Sequence, residues 1–137
     1  MLPEKIQKEL VERAGGLCEY CKSPANISSQ PFAIDHIFPK SKGGEAKLDN
    51  LAFSCQGCNS YKYNKTSGVD LLSGNDVLIF NPRIHKWPDH FSWSEDGLEI
   101  IGISSIGRVT IHELKLNRTP LKNLRLLLVY AGLHPPT

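Results

Sequence analysis

No stretch of this sequence approaches the ~20 consecutive apolar residues of a membrane-spanning helix, so no membrane partner is expected. The N-terminus lacks the apolar core of a secretory signal. Met1 to Leu10 reads instead as the start of an amphipathic helix, and a cytoplasmic location is the expectation. An excess of one charge is missing too. The 137 residues carry 16 Lys and Arg against 14 Asp and Glu, so no strong global field selects a partner by sign. Splitting the chain at residue 68 leaves nine basic and seven acidic residues before it and seven of each after it, so neither half is a basic arm. Internal repeats and low-complexity tracts are absent, which excludes a repeat array.

What is present suits one compact domain. A chain of this size buries a core without needing disulfides. The four cysteines, in a reducing compartment, therefore point to metal ligation. Pro3 to Arg13 reads as a first helix, with Ile6, Leu10 and Val11 on one face and Gly15-Gly16 as its stop. Phe32 to Ile37 and Leu51 to Ser54 read as short strands, joined by a polar loop over 39–50. Asn59 to Lys65 reads as a short helix. In the second half, Val77 to Phe80 is a strand candidate, broken by Asn81-Pro82. Phe91 to Trp93 and Leu98 to Ile103 flank a hairpin signal at Glu95-Asp96-Gly97. Thr119-Pro120 reads as an N-cap and first-turn proline for a last helix, marked by Leu121, Leu124 and Leu128.

The chemistry concentrates between residues 18 and 62. Cys18 and Cys21 form one C-x-x-C, and Cys55 and Cys58 form another. Two residues between cysteines let both thiolates reach one ion, and two such turns complete a tetrahedral sulfur site. Four thiolates leave no open position, so this metal is expected to be structural. Zinc favours the set; a rubredoxin-like iron uses similar spacing and would colour the protein. A redox dithiol needs only one pair.

That frame does not account for Asp35, His36, Asn50 and Asn59. The intervening text runs FAIDHIFPKSKGGEAKLDNLAFSCQGCNSYK. Asp-His, a Pro-x-Ser-x-Gly-Gly loop, Asp-Asn-Leu and then Cys-x-x-Cys-Asn-x-x-Lys together resemble the HNH endonuclease family. The resemblance covers about residues 3 to 68. It implies an α+β fold: a ββα-metal nuclease core over residues 1–68, stapled by a four-cysteine zinc site. A small α+β extension over 69–137 is expected to pack on that core as part of one structural domain.

Carried over by position, the resemblance makes Asp35 a ligand of the catalytic ion and His36 the general base. Asn50 braces the loop, and Asn59 is a second ligand where many members have histidine. Lys62 matches a lysine often found three residues further on. The implied activity is hydrolysis of phosphodiester bonds in DNA, leaving 5′-phosphate and 3′-hydroxyl ends. Hard oxygen ligands suit Mg²⁺ or Mn²⁺, and a neutral imidazole can take a proton from water near neutral pH. Lys40, Lys42 and Lys62 are candidate contacts to the nucleic acid. The chain is expected to act as a monomer or homodimer. The rival is a non-catalytic four-cysteine zinc module that binds nucleic acid or protein; it has no need of Asp35, His36 and Asn59 together.

Other candidates read as structural. Asp89-His90 is a second Asp-His pair, but it has no metal frame around it. His85, His112 and His134 have no partners at ligand spacing. Trp87, Phe91 and Trp93 read as core of the second half, and Arg118, Lys122 and Arg125 as a solvated helix face.

Overall fold

The computed structural model describes residues 2–136. The architecture is α+β, with short antiparallel strands paired two by two. The chain divides into two compact units. One runs to Thr66 and includes Asn81–Ile84; the other comprises Ser67–Phe80 and the residues from His85 onward.

In the first unit, helix α1 spans Glu4–Arg13 directly after Pro3 and buries Leu10. Glycines at 15 and 16, both at positive φ, end the helical run. Arg13 at its C-terminus reaches out, donating to Leu48 O at 2.8 Å and Leu51 O at 2.7 Å. Strands β1 (Ala33–His36) and β2 (Leu51–Ser54) pair antiparallel, with Asp35 opposite Ala52 and His36 opposite Leu51. All of β2 is buried, whereas only Asp35 is buried on β1. Helix α2 (Gln56–Lys62) follows β2 after a single residue. It begins earlier than the Asn59 start expected from sequence. The reason is the cap: Cys55 Sγ accepts the Cys58 N–H at 3.4 Å, so a cysteine sulfur serves as the N-cap acceptor. The returning segment Asn81–Ile84 is held by Arg83, which pairs with Glu19 and donates to Leu51 O at 3.3 Å.

In the second unit, β3 (Ser67–Val69) pairs with β4 (Asp76–Leu78), and β5 (Phe91–Trp93) pairs with β6 (Ile100–Gly102). A one-turn helix α3 (Trp87–His90) precedes β5. Two longer helices follow, α4 (Ser105–Leu114) and α5 (Thr119–Tyr130). Helix α4 is absent from the sequence reading. Its Ile, Val, Thr and Gly content is poor for a helix, and tertiary packing overrides that preference. The Ser104 hydroxyl caps it, accepting the Gly107 N–H at 3.0 Å. Gly107 lets the helix approach so closely that a Cβ there would sit 2.1 Å from His90 O. The buried Val109, Thr110 and Leu114 lie on the packed face.

Two expectations for the last helix are corrected. Arg118, not Thr119, occupies the N-cap, and no side chain caps it; Thr119 and Pro120 are already inside the first turn. Arg125 is not part of a solvated face. It is 3% exposed, and its guanidinium donates to Leu98 O, Asn117 Oδ1 and Leu116 O while lying 5.3 Å from the Trp93 ring. A guanidinium satisfies three acceptors at once, which is how a charge comes to sit among apolar neighbours.

Asp70 closes the β3–β4 turn and meets Arg108 of α4 through two bonds of 3.1 and 2.9 Å. The Arg108 hydrogen bonds hold its carboxyl far below the ordinary value of 3.8. A carboxyl depressed on folding adds stability above its unfolded value and loses it as pH falls toward the folded one. The urea midpoint should therefore drop as pH is taken from about 5 to about 3, and Asp70→Asn should flatten that part of the profile. An unchanged slope in the variant would show that the pair contributes nothing.

Candidate functional site

Two constellations share the first unit. The first is the cysteine cluster. Cys18 and Cys21 sit on the turn after α1, closed by an isolated bridge between Leu17 and Pro24. Cys55 caps α2 and Cys58 sits on its first turn. All four are buried, and their sulfurs lie within 4.8 Å of one another. Cys21 Sγ and Cys55 Sγ are 3.7 Å apart, far beyond a disulfide and close to the ~3.8 Å that tetrahedral Zn–S bonds of about 2.3 Å require. Each first cysteine accepts an N–H from its second, Cys21 N to Cys18 Sγ at 3.5 Å and Cys58 N to Cys55 Sγ at 3.4 Å. Burial raises the Cys18 thiol, while hydrogen bonds from the neighbouring thiols hold Cys55 as a thiolate. Donor type, spacing and closure fit a tetrahedral ion such as zinc. Among the described residues, no other group of three or more His, Cys, Asp or Glu converges in this way.

The second constellation is centred on Asp35. The strand alternation turns its carboxylate inward, where it is 3% exposed. Two partners hold it. The Tyr20 hydroxyl donates to Oδ2 at 2.7 Å, and Lys62 Nζ lies 3.1 Å from Oδ2 and 3.2 Å from Oδ1. Burial raises the Asp35 carboxyl, and the Lys62 charge and both sets of hydrogen bonds oppose that rise. Tyr20 is wholly buried, and burial together with the Asp35 charge pushes its hydroxyl well up, so it stays protonated and donates. Tyr20 lies between the first two cysteines, so the turn that brings those cysteines to the cluster also places a clamp on Asp35.

Lys62 is not at the surface where a contact to nucleic acid would need it. It is 1% exposed, and besides Asp35 its ammonium donates to His36 O at 3.3 Å and Ile37 O at 3.1 Å. Those three partners use its three donors. The structure thus makes Lys62 the counter-ion of Asp35, in place of the substrate contact expected from sequence.

Asp35, His36, Lys40 and Asn59 line one open cleft of about 350 Å³. His36 is adjacent to Asp35 on the strand, yet both reach this cleft at the strand's end. The side chains of His36 and Asn59 make no hydrogen bond to the protein among the described residues. Lys40 and Lys42 are exposed on a 3₁₀ turn after Pro39, and only Lys40 lines the cleft. Asn50 is not brought to it. Its amide spans the loop instead, accepting from Phe38 N at 2.8 Å and donating to Phe38 O at 3.1 Å and Glu45 O at 2.9 Å. Gly44 completes that loop, because a Cβ there would sit 1.8 Å from Phe38 O. The hard donors at the cleft are the Asp35 carboxylate and the Asn59 amide oxygen. Oδ1 of Asp35 accepts one bond and keeps room for another, which fits an ion such as Mg²⁺ that takes few protein ligands and keeps its waters.

Residues 18–65 match the family model described as HNH endonuclease. By this match, residues 18–65 carry an HNH endonuclease domain. The match runs from the first cysteine to the end of α2 and takes in both constellations. An HNH domain is a nuclease-type domain, and its metal-like cysteine cluster and its Asp-His strand lie together in one unit here. The chain is also 28% identical to the Septu protein PtuB of Bacillus mycoides (strain KBAB4), over an alignment of 150 residues covering 89% of this chain. The chain spans about half the length of that relative, 50%. No solved structure matches the chain. None of the described helices is long and apolar enough to cross a membrane.

Sequence reasoning did not find Tyr20. An aromatic between two metal-binding cysteines has no signature of its own; only the fold shows that its hydroxyl reaches a carboxylate fifteen positions away.

Proposed function

We propose that this chain is a metal-dependent endonuclease that hydrolyses phosphodiester bonds in DNA, leaving 5′-phosphate and 3′-hydroxyl ends. The four cysteines would hold zinc as a folding element, and Asp35 and Asn59 would hold Mg²⁺ or Mn²⁺ in the cleft. The observation that carries this reading is the cleft itself. An imidazole and an amide with no protein partner stand beside a buried carboxylate held by two donors. A purely structural zinc module has no use for such an arrangement.

His36 takes the proton of the attacking water on a ring nitrogen that no protein group occupies. Asp35 is paired with Lys62 and fixed in rotation by Lys62 and Tyr20, so its free acceptor direction is set before substrate arrives. Asn59 presents its amide from the helix that carries Cys58 and is capped by Cys55. Lys40 meets the phosphate backbone at the mouth of the cleft. When bound, a divalent ion would supply positive charge for the developing charge on the phosphate and the leaving 3′ oxygen, which takes its proton from solvent water.

The test is plasmid nicking. Zinc-loaded protein should convert supercoiled plasmid to the open circle with Mg²⁺ and not with chelator. His36→Ala should lose on the order of 10²- to 10⁴-fold in rate at unchanged zinc content. Equal activity in the two proteins would end the assignment.

A further inference from the structure

Helix α2 ends on a residue in an uncommon conformation. Tyr63 has φ 51° and ψ −116°, a region that favours glycine, while its N–H still donates to Asn59 O at 2.9 Å. The backbone leaves the helix at that point, and the ring stands out from the surface. It is 76% exposed, in contrast to Tyr20, which is fully buried and hydrogen-bonded. Tyr63 also lines the cleft that holds Asp35, His36 and Asn59. Its hydroxyl has no partner among the described residues. A large aromatic face left open beside a reactive cleft, on a strained backbone, calls for a ligand that covers it.

We infer that Tyr63 is a stacking platform for one unpaired nucleobase next to the phosphate that reacts at His36. The inference rests on the nuclease reading above and names its substrate class. The ring offers a flat apolar face, and every base has a π-face to set on it, whatever its identity. Inside a duplex both faces of a base are covered by neighbouring bases. Tyr63 therefore gains its contact only where a base is free: in single strands, at mismatches, or at the edge of an opened duplex. Lys40, exposed on the same cleft, supplies the complementary contact to the backbone. The enzyme thus favours substrates with exposed bases over intact duplex and reads no sequence through this residue.

The test uses the zinc-loaded full chain, with no added divalent ion, and fluorescently labelled oligonucleotides of one sequence as a single strand and as a blunt duplex. Tyr63→Gly removes the ring and relieves the backbone, so lost binding does not come from misfolding. Tyr63→Phe keeps the face and drops only the hydroxyl. The single strand should bind Tyr63→Gly roughly 5- to 150-fold more weakly than wild type. Tyr63→Phe should stay within about twofold of wild type, and duplex affinity should be the same in all three. Equal single-strand affinities in wild type and Tyr63→Gly would overturn the platform; Mg²⁺-dependent plasmid nicking, scored separately, would then still support the nuclease. A wild type that binds neither oligonucleotide and nicks nothing would overturn both.

Discussion

Cys58→Ala should lose its bound metal and leave residues 18–65 unfolded. Cys58 is buried on the first turn of α2, and its sulfur belongs to a cluster whose members all lie within 4.8 Å. The other three thiolates cannot close a tetrahedron, and they remain buried close together without a fourth ligand. Structural zinc contributes apparent free energies of about 10–16 kcal/mol in small zinc-binding peptides. A whole domain is stable by only about 5–15 kcal/mol, so this loss is enough to abolish the fold. The variant also ends the hold on Asp35, because the knot positions Tyr20 at 2.7 Å from its carboxylate. Elemental analysis should find no zinc, and the amide spectrum should lose the dispersion of the β1–β2 pair. Prolonged chelation of wild type should give the same spectrum. A folded, metal-containing Cys58→Ala would refute the structural role of the cluster.

Some of this was legible in the residues and some was not. Two C-x-x-C pairs demand a shared ion, because few other uses need four thiols at that spacing, and the structure brings the four sulfurs together. The sequence places strand β2 at its observed bounds, since an apolar run between a polar loop and a cysteine turn leaves little freedom. Asp35 and His36 were singled out, but their different surroundings were not. Period-2 alternation sends one inward and leaves the other half-exposed, and the inward one then needs buried partners. Those partners come from residues 20 and 62, and no local pattern encodes a contact over such separations. The reversed role of Lys62 has the same origin: a lysine three residues past Asn59 looks like a surface cation until the turn of α2 carries it beneath the strand. The return of Asn81–Ile84 to the first unit was equally silent, because Arg83 and Glu19 are 64 positions apart. Helix α4 was missed for another reason: a close helix approach selects Gly107 and β-branched residues, the very types that argue against a helix when read alone.

Lys62→Met should be the most damaging single change outside the cysteines, and the way it fails is informative. The substitution keeps much of the side-chain volume but removes the cation 3.1 Å from Asp35. Asp35 would keep the Tyr20 hydrogen bond and remain almost wholly buried, while the carbonyls of His36 and Ile37 would lose a donor. Removing one partner of a buried ion pair costs about 3–5 kcal/mol, because the other charge is left uncompensated. Burial already pushes the Asp35 carboxyl up even with Lys62 in place, so without Lys62 the carboxyl moves further toward the neutral acid. The urea midpoint should fall sharply, and nicking should be lost with it. Asp35→Asn added to Lys62→Met separates the two effects. The amide carries no charge to strand and still accepts from Tyr20, so the double variant should recover a large part of the lost stability. It should recover none of the nicking, because no anion is left at the cleft. A double variant no more stable than Lys62→Met would show that Lys62 acts through packing and the two carbonyls, and not as the counter-ion of Asp35. A single variant that keeps wild-type stability and activity would remove the clamp from the mechanism altogether.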